Sequence, residues 1–168
     1  MTILAVDPSS RSCGWCLADD TGKVLDCGVV RATRIGLMAE RIAIEACNLW
    51  IDHPAFRLAI ERATPQTQRG VYTDSWGPGI AAGLWIQALQ AFTHDNADPP
   101  FIPPMEWRKA MIGKGHRGRD AKKAAAIQRA NAELLASGLP QLDPAMAGLD
   151  DVADAVCIAV YAARRAER

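Results

Sequence analysis

Four carboxylates stand where hydrophobic patterning would place an apolar side chain. Asp7 ends the apolar run Ile3-Leu4-Ala5-Val6, Glu61 follows directly on the run from Phe56 to Ile60, and Asp151 and Asp154 lie in the first turn of an otherwise apolar stretch from Asp150 to Arg165. Residues i and i+3 share one helical face, and at a helix N-terminus the macrodipole favours the ionised form of both. Four carboxylates within a few Å of one another repel unless cations lie between them, and ligation by oxygen alone selects hard divalent ions such as Mg²⁺ or Mn²⁺. Taken singly, each acid has an ordinary use. An acid at a strand end is commonly a turn residue, Asp150 and Asp151 can cap a helix, and Glu61 can pair with Arg62. The set is more informative than its members, because a strongly basic segment lies between the second acid and the last two.

That segment runs from Ile102 to Ala130. It holds Arg108, Lys109, Lys114, Arg117, Arg119, Lys122, Lys123 and Arg129 against only Glu106 and Asp120, a local balance of plus six. The whole chain carries 19 Lys and Arg and 19 Asp and Glu, so everything else sums to minus six, and from Leu139 to Tyr161 there are four acids and no Lys or Arg. Zero net charge counts against a nucleic-acid binder only when the charges are evenly mixed. Here they are segregated, as expected of a protein that holds a polyanion and positions metal ions against it. Gly113, Gly115 and Gly118 loosen the loop inside the basic segment.

The elements that must position these groups can be read from periodicity. Ile3 to Asp7 is a short strand ended by Pro8-Ser9-Ser10, and Cys13 to Ala18 and Val24 to Val30 continue it as a three-stranded meander. Leu37 to Ile51 has helical spacing and is closed by His53-Pro54. Phe56 to Ile60 is a fourth strand, and Phe101-Ile102 a short fifth. Gly79 to Phe92, Asp120 to Ala136 and Asp150 to Arg165 read as helices, and residues 62 to 79 as the longest irregular stretch. Strands first, then helices alternating with two more strands, predict an α/β domain with a five-stranded mixed sheet flanked by helices. In such sheets, acids at the ends of different strands converge at the rim.

The remaining signals are structural. At 168 residues with 49% hydrophobic content, the chain is of ordinary size for one domain, and residues 1–168 are read as such. No run of 18 apolar residues occurs and the first residues lack a signal-peptide pattern, which predicts a cytoplasmic protein without a membrane role. Five scattered cysteines do not make a disulfide framework. Cys13 and Cys16, three apart on a strand, point to opposite faces roughly 10 Å apart, too far for a disulfide. Trp15, Trp50, Trp85 and Trp107 sit in apolar patterns and are assigned to the core. His53, His94 and His116 fall in loops, and only His116 lies inside the basic segment.

At this point the motifs carry a resemblance. Ile3-Leu4-Ala5-Val6-Asp7-Pro8-Ser9-Ser10 with Gly14, Ala59-Ile60-Glu61, and Asp151-Val152-Ala153-Asp154-Ala155 resemble the motifs of RuvC-type Holliday junction resolvases. The segment Trp107-Arg108-Lys109-Ala110-Met111-Ile112-Gly113-Lys114-Gly115 with Lys122-Lys123 is similar to the basic region of their phage-like members. The resemblance spans essentially the whole chain and implies the ribonuclease H-like fold. It implies that Asp7, Glu61, Asp151 and Asp154 are the catalytic acids and bind two Mg²⁺ or Mn²⁺ ions per site, with Asp150 left as a cap or supporting residue. It also implies a homodimer that makes paired nicks in a four-way junction, leaving 5′-phosphate and 3′-hydroxyl ends. In such a site, two ions about 3.5 to 4 Å apart activate water and stabilise the leaving oxygen. Arg108, Lys109, Lys114, Arg117, Arg119, Lys122 and Lys123 are the candidate phosphate contacts, and the last helix and Gly79 to Phe92 the candidate dimer surfaces. Two departures are visible. Ser9 replaces a glycine common in the family, and Arg62-Ala63-Thr64 follows Glu61 where members carry a junction-opening aromatic, a role left to Tyr72 or Trp76. Three other readings stand beside this one. They are a nuclease for other branched or flapped DNA, a catalytically silent junction-binding protein, and a nucleotide-binding protein of the actin and sugar-kinase type. The last has a phosphate hairpin that Asp7-Pro8-Ser9-Ser10 with Gly14 also resembles, but those proteins duplicate the fold and need about twice the length.

Overall fold

The computed structural model describes residues 2–9, 11–62, 66–68, 71–73, 76–93 and 99–166, with backbone only for 35, 66–68, 71–73, 76 and 91–93. In chain order the elements are β1 (Thr2–Asp7), β2 (Ser12–Ala18), β3 (Val24–Arg31), α1 (Ile35–Asp52), β4 (Phe56–Glu61), β5 (Gln66–Gln68), β6 (Val71–Thr73), α2 (Trp76–Thr93), β7 (Phe101–Ile102), α3 (Pro104–Met111), α4 (Arg119–Ala136) and α5 (Leu149–Ala166). Five strands form one sheet in the order β3-β2-β1-β4-β7. The β1–β2 and β2–β3 pairs are antiparallel, and the β1–β4 and β4–β7 pairs are parallel. The predicted mixed sheet is therefore present, with β1 at its centre.

Strand β1 is apolar without alternation because both of its faces are covered. Leu4 and Val6 point with Cys13, Trp15 and Leu17 into a core closed by Met38, Ile42 and Ala46 of α1 and Ala81, Trp85 and Leu89 of α2. Ile3 and Ala5 point with Cys16, Ala18 and Ala59 to the other face, against Val152 to Val160 of α5 and against Trp107, Ala130 and Leu134. Cys13 and Cys16 thus occupy opposite cores, and all five cysteines are free thiols. Helix α5 buries nine residues, from Val152 to Ala163, and is the hub of its layer. No described helix is long and apolar enough to cross a membrane.

Two expectations need correction. Residues 62 to 79 are not irregular throughout: β5 and β6 pair as an antiparallel hairpin in a separate two-stranded sheet, and α2 begins at Trp76. Polar Gln and Thr side chains hide three-residue strands from a hydrophobicity criterion. The second is α3, an eight-residue helix inside the basic segment. Its start signal is Pro104 at the first helical position, and Trp107 and Met111, four apart, are its buried face. Pro103-Pro104 reads as a break, and the short apolar stripe is diluted by Arg108 and Lys109.

A candidate carboxylate metal centre

The register brings the first two acids together. Val6 pairs with Ile60 across parallel strands, so Asp7 and Glu61 end side by side at the same rim. Side chains alternate along a strand, which puts Asp7 on the face of Ile3 and Ala5 and Glu61 on the face of Ala59, the face that α5 covers. Both acids are buried, at 9% and 8% exposure.

Helix α5 brings the other two. Asp7 pairs with Gly14 on β2, and a side chain at Gly14 would put its Cβ 2.0 Å from the carbonyl oxygen of Asp151. Only glycine lets the first turn of α5 come down onto the strand beside Asp7. Asp7, Glu61 and Asp154 then present carboxylate oxygens that all lie within 4.8 Å of one another. Asp151 stands just outside this group, where the Ser12 hydroxyl donates a hydrogen bond to its Oδ2. Asp150 accepts a hydrogen bond from Lys123, which ties α4 to the first turn of α5.

Burial and mutual repulsion dominate the electrostatics. Burial, then the adjacent Glu61 charge, holds the Asp7 carboxyl well above the usual carboxylate range. Asp154 is pushed up to about 7, chiefly by burial, with Arg108 opposing and Glu61 reinforcing the rise. Burial also raises Asp151, against the hydrogen bond from Ser12. Three buried carboxyls that resist ionisation on their own, Asp7, Asp151 and Asp154, are groups that a multivalent cation would stabilise.

Two neighbours from α3 complete the arrangement. The indole Nε1–H of fully buried Trp107 donates to Glu61 Oε1 at 3.0 Å. The Arg108 guanidinium lies over the Trp107 ring, 4.9 Å from its centroid, and reaches Asp154 Oδ2 at 3.2 Å and Glu61 Oε1 at 3.4 Å. Sequence reasoning placed Trp107 in the core and Arg108 in a phosphate grip; both stand beside the carboxylates. The signal available was their adjacency on a helix starting at Pro104. Of the other candidate contacts, Lys109, Lys114, Arg117, Arg119 and Lys122 are exposed and Lys123 is half-buried on Asp150. His116 Nε2 lies 3.1 Å from the carbonyl of Ile112. Gly113, Gly115 and Gly118 all have positive φ, so the α3–α4 loop follows a path that other residues would strain. His94 and the side chains of Tyr72 and Trp76 lie outside the described residues.

No family model and no curated protein matches the chain. Solved structures do. Thermus thermophilus RuvC superposes with a TM-score of 0.69 at 19% identity, over 99% of this chain and 96% of that one. Fowlpox virus resolvase, solved with its substrate Holliday junction DNA, gives 0.57 at 13% identity over 100% of both chains. The yeast mitochondrial Holliday junction resolvase gives 0.54 at 12% identity, over 96% of this chain and 78% of that one. The five-stranded mixed sheet, its flanking helices and these superpositions agree: the chain has the ribonuclease H-like fold of RuvC and other Holliday junction resolvases.

Proposed function

We propose that this chain is a divalent-metal-dependent endodeoxyribonuclease that resolves four-way DNA junctions, acting as a homodimer that nicks two opposed strands. The observation that carries the reading is the meeting of Asp7, Glu61 and Asp154, from three separate elements, at one buried point on the rim of a resolvase-like sheet. In this reading residues 1–168 work as one nuclease domain.

The donor set fits Mg²⁺ or Mn²⁺: oxygen ligands only, carboxylates only, close enough to share an ion. Asp7, Glu61 and Asp154 would hold the metal, and Asp151, one step away on Ser12, is the fourth acid within reach of the site. Bound ions would supply an activated water and a stabilised leaving oxygen for in-line hydrolysis of a phosphodiester. The chain's own groups orient and balance that centre. Trp107 fixes one oxygen of Glu61, so the carboxylate keeps its rotamer whether or not a cation is present. Arg108 offsets the charge of Glu61 and Asp154, and with 38% of its side chain exposed it can also meet a phosphate oxygen. Lys109, Lys114, Arg117, Arg119 and Lys122 would grip backbone phosphates without reading bases.

The test is a cleavage assay with Mg²⁺ or Mn²⁺ on a four-way junction, a flap, a linear duplex and an RNA·DNA hybrid. Preference for the junction, with symmetric nicks, supports the proposal; preference for the flap or hybrid reassigns the substrate. Asp7→Asn should bind the junction as the native chain does and cut it at least a hundredfold more slowly. Undiminished cleavage by that variant would remove Asp7 from the centre.

A further inference from the structure

The guanidinium of Arg108 stands where a bound cation would act. A single nitrogen, Nη2, lies between two acids carried by different elements, 3.2 Å from Asp154 Oδ2 on α5 and 3.4 Å from Glu61 Oε1 on β4. These are two of the three carboxylates whose oxygens lie within 4.8 Å of one another. Among the described residues no other Lys, Arg or His forms an ion pair with Asp7, Glu61 or Asp154.

Two roles fit a side chain so placed, and they predict opposite signs. An arginine that orients the carboxylates helps them bind a metal ion, whereas one that neutralises them competes with it. The surroundings favour competition. Glu61 Oε1 is already fixed by the N–H of fully buried Trp107 at 3.0 Å, so it needs no second donor. Arg108 is the less firmly held of the two donors: 38% of its side chain is exposed, and an ion pair that open to solvent is weak. A position away from the acids is also prepared for it, because the guanidinium already lies over the Trp107 ring, a contact that does not depend on the carboxylates.

A guanidinium and a divalent cation on the same two carboxylates repel each other, so the free protein resists loading. The guanidinium fork matches two phosphate oxygens at once, which gives Arg108 a competing partner in the substrate. We propose that Arg108 is a substrate-operated gate on the metal site: it occupies Glu61 and Asp154 in the free protein and is drawn off them by a DNA backbone phosphate, so that metal loads fully only where DNA is bound. The inference rests on the nuclease reading above and adds to it a coupling between the two ligands. By linkage the coupling is reciprocal, and DNA strengthens metal binding by the factor by which metal strengthens DNA binding.

The experiment measures Mn²⁺ binding to the metal-free chain without DNA, by calorimetric titration and by loss of the free-ion EPR signal at pH 8. It compares the native chain, Arg108→Gln, Arg108→Met and Lys109→Gln, and thermal melting in EDTA confirms that each is folded. Arg108→Met keeps an unbranched stem against the Trp107 ring, and Lys109→Gln removes the same charge from the neighbouring residue, which pairs with none of the three acids. The two neutral variants of Arg108 should bind Mn²⁺ on the order of tenfold more tightly than the native chain, and Lys109→Gln within about twofold of it. Junction affinity, read by stopped-flow anisotropy before any strand is cut, should rise with Mn²⁺ by about ten times as large a factor in the native chain as in Arg108→Gln. Unchanged or weaker Mn²⁺ binding by the folded Arg108 variants overturns the gate, as does an equal gain in Lys109→Gln or an equal effect of Mn²⁺ on junction binding in the native chain and Arg108→Gln. Each of these results leaves the nuclease reading intact. A native chain that binds no Mn²⁺ and cuts no junction overturns both.

Discussion

Asp154→Asn offers the sharpest test of how the site is built. In the folded chain Asp154 is held at about 7 against a usual value of 3.8, and burial is the principal cause. Its folded pKa is raised, so the fold binds a proton that the unfolded chain releases. The resulting stability is fully present below about pH 4 and is lost as pH climbs through 7. At pH 8, with no divalent metal, holding the charge in the fold costs about 4 kcal/mol, at 1.36 kcal/mol for each unit between the two values. Solvent reaches 18% of the side chain, and that screening brings a realistic figure to about 2 kcal/mol. Asparagine keeps the shape and removes the charge. The metal-free variant should therefore melt about 4 to 8 °C above the native chain at pH 8 and within a degree or two of it at pH 4. Differential scanning calorimetry in EDTA across that range is the assay. Mg²⁺ should then raise the native melting temperature at pH 8 and move the variant much less, because one ligand is gone. A variant no more stable than the native chain at pH 8, with the same dependence on pH, would show that Asp154 is not a strained charge and would refute the electrostatic argument.

Three further outcomes follow from the geometry. Gly14→Ala would force its Cβ into the Asp151 carbonyl, so it should cost about 3 kcal/mol or more and abolish cleavage; Ser12→Ala, which leaves the backbone alone, should do neither to that extent, as melting and activity assays will show. Trp107→Phe keeps the ring under Arg108 but leaves Glu61 without its buried donor. It should lose about 1 kcal/mol of stability and weaken Mn²⁺ binding by about tenfold or more, measured by calorimetric titration. Lys122→Gln should flatten the salt dependence of junction binding by nearly 1 in log–log slope, and Lys123→Gln by less, because Lys123 is already engaged by Asp150.

The sheet and four of the five described helices were legible because each carries a strong apolar signal: unbroken β1, the short apolar runs of β2 and β4 beside it, and α5 with its nearly continuous apolar run. The strand-end acids were legible for the same reason, since a charge that interrupts a buried pattern needs an explanation. What escaped was set by contacts between distant segments. Nothing in Trp107 as a residue type distinguishes a core tryptophan from one whose N–H holds a carboxylate 46 positions earlier. Arg108 reads as one more cation in a basic stretch until α3 is seen to lay it across Glu61 and Asp154. Asp151 was grouped with Asp154 by helical spacing, yet Ser12 holds it to one side.

The layout of the sheet also bears on when such a centre can exist. Asp7 and Glu61 can meet once β1 and β4 pair, but the third acid arrives on α5, the last helix of the fold and the one that fills the core behind them. During synthesis the N-terminal strands leave the ribosome well before residue 149, and until α5 docks they lack both their third ligand and most of the apolar surface that buries the other two. Assembly of the three-carboxylate group and completion of the fold are therefore the same event. A partly made or partly unfolded chain would carry its basic segment and two of its acids without the third, so the nuclease activity proposed above would be confined to intact molecules.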